Sequence, residues 1–292
     1  MDIDTGPLVR RFGPSVLAWC AEVPALAGEL AARWALRVGE PLGGGASSVA
    51  LRCELPDGRP AVLKLSPDHE FVAEQARSLE WFAPSGRVPA VLAADPALGA
   101  MLIERIEPGQ PVESAAVPPS AAEFGALLMD LHGAADVAEL PVPRDLRQGT
   151  DEFCTRFARR LDEPAVRDHV RLADLDRAIS RRDELLASST SVVLLHGDLH
   201  LRNVLDGGPC RGLVAIDPKV GVGDPCFDAV DFLLAGAGVD GVDRRCAALA
   251  AVTGLHTDRL FAWCRVAAPL IAIIVLSQHN PTGLDELLQL AA

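Results

Sequence analysis

Lysine is nearly missing from this chain: 25 of its 27 basic residues are arginine, which leaves only Lys64 and Lys219. Arginine is a wide planar fork and lysine a compact point charge on a flexible stem, so a site that accepts only an ammonium would account for keeping lysine at two places. Chance is the alternative, and the residues around the two lysines decide between them. No uninterrupted apolar run reaches the roughly 18 residues of a membrane helix. The most apolar late stretch, residues 266–276, is shorter than that and holds Pro269, so it reads as a buried helix. The chain opens with Asp2 and Asp4 in place of a basic leader, which predicts no signal peptide and a cytoplasmic protein. The cysteines, at 20, 53, 154, 210, 226, 246 and 264, are odd in number and form no C-x-x-C pair. Neither a disulfide framework nor a zinc site is indicated, and buried free thiols are expected.

Positive charge is also short. With 27 basic and 40 acidic residues the net charge is −13, the wrong sign for a nucleic-acid partner. From residue 108 onward 17 basic residues face 26 acidic ones, so 17 − 26 = −9 of that charge lies in the later part. An acidic surface of this kind suits a cationic small-molecule substrate, or serves solubility alone. Two nucleotide folds are not indicated either: the repeated βαβ units that a G-x-G-x-x-G turn would need are not there, and the Walker pattern G-x-x-x-x-G-K-[ST] does not occur.

What is present has a clear order. Residues 1–36 read as a helical extension, with Pro14 and Pro24 predicting two short helices. Strands are expected at 36–42, 47–54 and 61–65, around a glycine run at 43–48 and a turn at 56–59. A helix at 69–83 follows, with Phe71, Leu79 and Phe82 as apolar positions and Glu70, Glu74 and Glu80 as polar ones. Strands at 88–93 and 100–106 come next. Beyond Pro108 the chain turns helical, at 120–135, 151–162, 167–187, 243–253 and 257–277, interrupted by short strands at 192–195, 203–205 and 213–216. The expectation is an α+β chain with three parts: an extension at 1–36, a β-rich lobe at 37–107 and a helical lobe at 108–292.

The strongest chemical signal is the stretch 192–205, VVLLHGDLHLRNVL, where an apolar strand delivers a polar cluster. Asp198 and Asn203 are five apart, the spacing of a base aspartate and a metal-binding asparagine in phosphoryl transfer. His196 and His200, four apart, would ligate a metal together only on a continuous helix, and Gly197 after a strand argues against one. A second apolar strand, 213–216, ends in Asp217, suited to a magnesium ion held between nucleotide phosphates. Lys219, two residues on, has two roles open to it: contact with transferred phosphate, or loop structure. Lys64 sits on the strand after the glycine run, where a lysine pairs with α- and β-phosphates and with a glutamate of the next helix. Glu74 is the expected partner and Glu70 the alternative. In the run at 43–48, Gly44 and Gly45 let backbone approach phosphates, and Ser47 and Ser48 add hydroxyl donors.

Taken in order, residues 44–48, 61–65, 102–109, 194–203 and 215–219 resemble the aminoglycoside phosphotransferase family, in particular its aminoglycoside/hydroxyurea resistance kinase branch. The similarity runs from about residue 36 to near residue 280, and the pair HGDLH and IDPK is its most specific part. The resemblance implies a bilobal protein-kinase-like fold that binds ATP in its cleft and Mg2+ on Asn203 and Asp217. It implies an adenine hinge near 103–107, with Glu104 and Ile106 as cofactor contacts, and a substrate lying against the helical lobe. It implies too that Asp224 and Asp228 brace the catalytic loop, while His200 and Lys219 serve substrate or loop. The expected activity is transfer of the γ-phosphate to a hydroxyl with Asp198 as base. The acceptor would be an aminoglycoside, or else an amino sugar or other metabolite. A non-catalytic nucleotide-binding protein is the rival from another class.

Overall fold

The computed structural model describes residues 2–43, 45–141, 144–235, 241–280 and 282–292. The chain divides into two compact units, Met1–Ala83 with Val88–Glu107, and Pro84–Arg87 with Pro108–Ala292.

The first unit opens with helices α1 (Gly6–Phe12) and α2 (Val16–Trp34). Pro14 separates them as expected, but Pro24 lies inside α2, which runs unbroken for 19 residues. A proline within a helix costs about 3 kcal/mol, through a lost hydrogen bond and a steric clash. The stripe Val16, Cys20, Val23, Ala27 and Leu30 is buried, and each large apolar side chain in it contributes about 1.5–3 kcal/mol. Packing therefore overrides the breaker.

Strands β1 (Arg37–Leu42), β2 (Val49–Glu54) and β3 (Pro60–Leu65) lead into helix α3 (His69–Phe82), whose first turn is capped by Asp68 accepting from Phe71 N at 3.0 Å. Strands β4 (Val91–Asp95) and β5 (Ala100–Glu104) complete an antiparallel five-stranded sheet of order β1-β2-β3-β5-β4. Side chains alternate across each strand. Leu51, Cys53, Ala61, Leu63 and Leu65 share one face, sealed by the apolar residues of α1 and α2. Lys64, in register with Ala50 and Met101, belongs to the other.

The second unit contains α4 (Ala121–His132), β6 (Arg144–Asp145), α5 (Leu146–Ala158), α6 (Leu172–Ala187), β7 (Val193–Leu195), β8 (Val204–Asp206), α7 (Gly208–Arg211), β9 (Leu213–Ala215), β10 (Gly221–Gly223), α8 (Val230–Ala235), α9 (Val242–Thr253), α10 (Thr257–Ser277) and α11 (Leu284–Ala291). Helix α5 starts five residues before its expected position because Asp145 and Gln148 form a reciprocal cap. Helix α10 is long and apolar enough to cross a membrane by length and composition. Its Leu260, Trp263, Cys264, Ala268 and Ile273 are buried, however, and it packs against α6, α9 and α11 as the central helix of this unit. Strands β7, β10 and β6 form one small sheet, and β8 pairs with β9 in another. All seven cysteines are free; six are buried, and Cys210 in the single-turn α7 is the exposed exception.

Candidate active site

Strand β7 buries Leu194 and Leu195 and hands the chain to a loop held almost entirely by hydrogen bonds. His196, fully buried, stands at its start. Its Nδ1 accepts from Asp198 N at 3.4 Å and its Nε2 lies 3.0 Å from Ile216 O. Those partners fit a neutral ring protonated on Nε2, and burial pushes its pKa down, as a neutral ring requires. Gly197 follows with φ +75, and a Cβ there would stand 2.2 Å from Lys219 O. Lys219 N also donates to His196 O at 2.8 Å, so the loop and the Asp217–Lys219 turn lie backbone to backbone.

Asp228 closes the arrangement from below. Its Oδ2 accepts from His196 N at 2.8 Å and its Oδ1 from Gly197 N at 2.9 Å, while His132 Nε2 at the end of α4 stands 3.1 Å from Oδ2. Burial opposes the charge of Asp228, but its bonds to His132 and the Gly197 amide, with His196 close by, together hold its carboxyl below the usual range. Asp224 does something else. It accepts from Arg259 Nε at 2.5 Å, Trp263 Nε1 at 2.6 Å and Cys226 N at 3.0 Å, and so ties its own turn to α10. Of the two downstream aspartates, only Asp228 hydrogen-bonds to the loop among the described residues.

Asp198 is half-buried, and its Oδ2 lies 2.6 Å from Lys219 Nζ, which itself stands 6.0 Å from the Phe153 ring. Asn203 donates through Nδ2 to Asp198 O at 2.9 Å, leaving its Oδ1 uncommitted among the described residues. The bond Ile216 N to Asn203 O, 2.8 Å, draws Asp217 alongside. Asp217 has φ 57, a left-handed conformation that costs a non-glycine residue energy and that aspartate tolerates better than most. An amide oxygen and a carboxylate are the hard donors magnesium takes, and two protein ligands suit an ion that keeps water and phosphate oxygens around it. Among the described residues no group of three or more His, Cys, Asp or Glu could hold a metal, so an all-protein cage is not built here. The donor set fits magnesium and not zinc. His200 stands just before the short turn at 201–203 without a side-chain capping bond, and its Nδ1 is buried without a hydrogen-bond partner.

In the first unit Lys64 is buried and donates to Gln75 Oε1 at 2.9 Å. The expected partner Glu74 is exposed, as is Glu70. Successive helical positions point about 100° apart, and the buried stripe of α3, Val72, Gln75, Ala76 and Leu79, brings Gln75 to the strand. In the glycine run, Gly44 lies outside the described residues. A Cβ on Gly45 would meet Ser48 O at 2.2 Å, Ser47 O accepts from Ser66 Oγ at 2.7 Å, and Ser48 is buried. A cavity of about 350 Å³ beside this loop carries Asp2, Asp4 and Glu40 on its walls, a charge that repels phosphate. Glu104 Oε2 accepts from Ala90 N at 3.1 Å, and Ile106 is buried just beyond the sheet.

A family model described as aminoglycoside/hydroxyurea antibiotic resistance kinase matches residues 33–277. A streptomycin 6-kinase from Streptomyces glaucescens is 33% identical over 225 residues, 75% of this chain and 69% of the relative. A hydroxyurea phosphotransferase from Kitasatospora aureofaciens is 32% identical over 262 residues, covering 87% and 74%. Among solved structures, a choline/ethanolamine kinase family protein from Mesorhizobium loti aligns with a TM-score of 0.61 at 21% identity over 91% of this chain and 93% of that one. The α+β architecture is thus the protein-kinase-like fold, a β-rich unit followed by a helical one.

Proposed function

Because the chain belongs to the aminoglycoside/hydroxyurea antibiotic resistance kinase family, we propose that it transfers the γ-phosphate of ATP to a hydroxyl of a small cationic molecule, an aminocyclitol such as streptomycin before others. That it is an enzyme, a small-molecule kinase, follows from the family itself. The observation that carries the finer reading is the convergence of Asp198, Asn203 and Asp217 on adjoining hydrogen-bonded turns, with Lys219 on the carboxylate of Asp198.

In this reading Asp198 accepts the proton of the acceptor hydroxyl. The hydroxyl oxygen then forms its bond to the γ-phosphorus as the bond to the β–γ bridging oxygen breaks, releasing ADP. Lys219, 40% exposed at its side chain, offers its ammonium to the transferring group. Asn203 and Asp217 would hold magnesium, which would neutralise phosphate charge there. Lys64, oriented by Gln75, takes the α- and β-phosphates, and the backbone around Gly44, Gly45, Ser47 and Ser48 takes the remaining phosphate oxygens. Glu104 and Ile106 border the adenine. The loose transition state leaves positioning and charge neutralisation as the main sources of rate.

ADP release by purified protein with magnesium, across aminoglycosides, hydroxyurea, amino sugars and neutral sugars, tests this. Streptomycin-dependent release with a phosphorylated product supports it, and release with a sugar alone moves the function to metabolism. Asp198→Asn is expected to abolish transfer and keep nucleotide binding. Undiminished turnover in that variant refutes the role of Asp198.

A further inference from the structure

A lysine ammonium rides on a flexible four-carbon stem, so it serves a reaction only where its surroundings hold it in place. Lys219 has two such holds. One is the carboxylate of Asp198, 2.6 Å from Nζ. The other is an aromatic ring: the centroid of Phe153 in α5 lies 6.0 Å from the same Nζ. That is within the reach at which the negative face of a ring attracts an ammonium.

Strand pairing brings the two residues together. Two residues after Lys219 the chain enters β10, which runs parallel to β6 with Gly221 opposite Arg144 and Val222 opposite Asp145. Strand β6 leads straight into α5, whose first turn the Asp145–Gln148 cap sets. A Cβ on Gly223 would stand 2.6 Å from Leu146 Cβ, so β10 lies against that first turn. Phe153 follows Leu146 by seven residues, two helical turns, and so returns to the same side of the helix. The pairing that fixes the turn at 217–219 thus also fixes where Phe153 stands.

The ring is itself held. Phe153 stacks on Phe157 with centroids 6.4 Å and planes 7° apart, and Phe157 is buried. The Arg156 guanidinium lies 4.8 Å from the first ring and 5.0 Å from the second. Phe153 is half-buried, and the Lys219 side chain is 40% exposed. An exposed lysine stem that touched only the carboxylate would sample many rotamers, and a fixed ring beside it removes some of that freedom.

Resting on the phosphotransfer reading above, we propose that Phe153 is a positioning residue for Lys219: its ring keeps the ammonium at Asp198, where the transferring group arrives. When the acceptor hydroxyl takes its share of the carboxylate, the ring is the hold that remains.

The test uses Phe153→Leu and Phe153→Trp in the full chain, with ATP and streptomycin. Leucine keeps an apolar side chain and loses the ring; tryptophan fits less well and offers a stronger π face. Phe153→Leu should lower kcat about 3- to 10-fold, the worth of a partly exposed cation–π contact. Its KM for ATP should stay within about twofold, and Phe153→Trp should keep kcat within about twofold of wild type. A leucine variant with unchanged kcat overturns the proposal, and so does an equal loss in both variants, since a packing role would spare neither.

A second measurement does not depend on transfer. The chain has only two lysines, so isotope-labelled lysine gives two side-chain NMR signals, and Lys219→Arg identifies one by removing it. Phe153→Leu should shift the Lys219 signal by taking away the ring current, with the Lys64 signal unmoved. If wild type transfers to no acceptor, the phosphotransfer reading fails and this signal decides the contact by itself. A shift upholds it, and a Lys219 signal that stays in place overturns it.

Discussion

Asp228→Asn changes one atom and removes no volume, so its consequences follow from hydrogen bonding alone. The carboxylate serves three donors, His196 N, Gly197 N and His132 Nε2, at 2.8, 2.9 and 3.1 Å, from a side chain sealed from solvent. An asparagine keeps one acceptor oxygen and replaces the other with an NH2 group that faces a donor. If Oδ1 stays on His196 N, the Gly197 amide loses its acceptor; if it stays on Gly197 N, both His196 N and His132 do. Each buried donor left unmatched costs about 1–3 kcal/mol, so the loss is about 1–3 kcal/mol in the first arrangement and about 2–6 kcal/mol in the second. Against a total stability of about 5–15 kcal/mol for a typical protein, that is a large fraction. Urea unfolding followed by circular dichroism should show the midpoint fall with the slope unchanged. At urea-free conditions where the variant is folded, kcat should drop about 100-fold, because the loop that aims Asp198 is no longer pinned. The pH dependence has a definite sign. A carboxyl held below its unfolded value stabilises the fold above about pH 4, and the benefit is lost as pH falls through the folded-state value. The stability gap between wild type and variant should therefore narrow on acidification below that point. Equal urea midpoints at neutral pH, with kcat within threefold, would refute the bracing role.

Two further substitutions probe backbone and register. Gly197→Ala puts a Cβ against Lys219 O on a residue at φ +75, and should cost about 1–3 kcal/mol in strain while abolishing transfer, read by the same melts and assay. In α3, Glu74→Gln should leave nucleotide KM unchanged, whereas Gln75→Leu should raise it about tenfold, the worth of one hydrogen bond to a charged group; the reverse ranking would refute the assigned helix face.

Residues that act through contiguous chain were legible before the structure. Asp198, Asn203 and Asp217 stand at the ends of short apolar strands, and the strands themselves announce the turns between them. Lys64 was conspicuous for its rarity. Its partner was not legible, because one residue of helix register turns a side chain by about 100°, although the apolar spacing of α3 had already placed Glu74 on the polar face. Pro24 misled because the stripe that overrides it gains only against the sheet, which is remote in sequence. Asp224 and Asp228 look alike in the chain; only the packing of α10 and α4 separates an anchor from a brace. His132 reaches Asp228 through tertiary structure alone, and no local pattern marks it.

The family match begins at residue 33, in the last turn of α2, yet α1 and α2 cover an entire face of the five-stranded sheet. An expression fragment trimmed to the matched residues would uncover Leu51, Cys53, Ala61, Leu63 and Leu65 together, and should be recovered as aggregate. During synthesis the order is reversed. Helix α2 is finished 31 residues before β3 ends at Leu65, since 65 − 34 = 31. At about 5–20 residues per second the helix waits about 2–6 seconds for its partner. In that interval the nascent chain carries a helix whose binding face is complete and whose sheet does not yet exist, so its apolar stripe stands open to solvent.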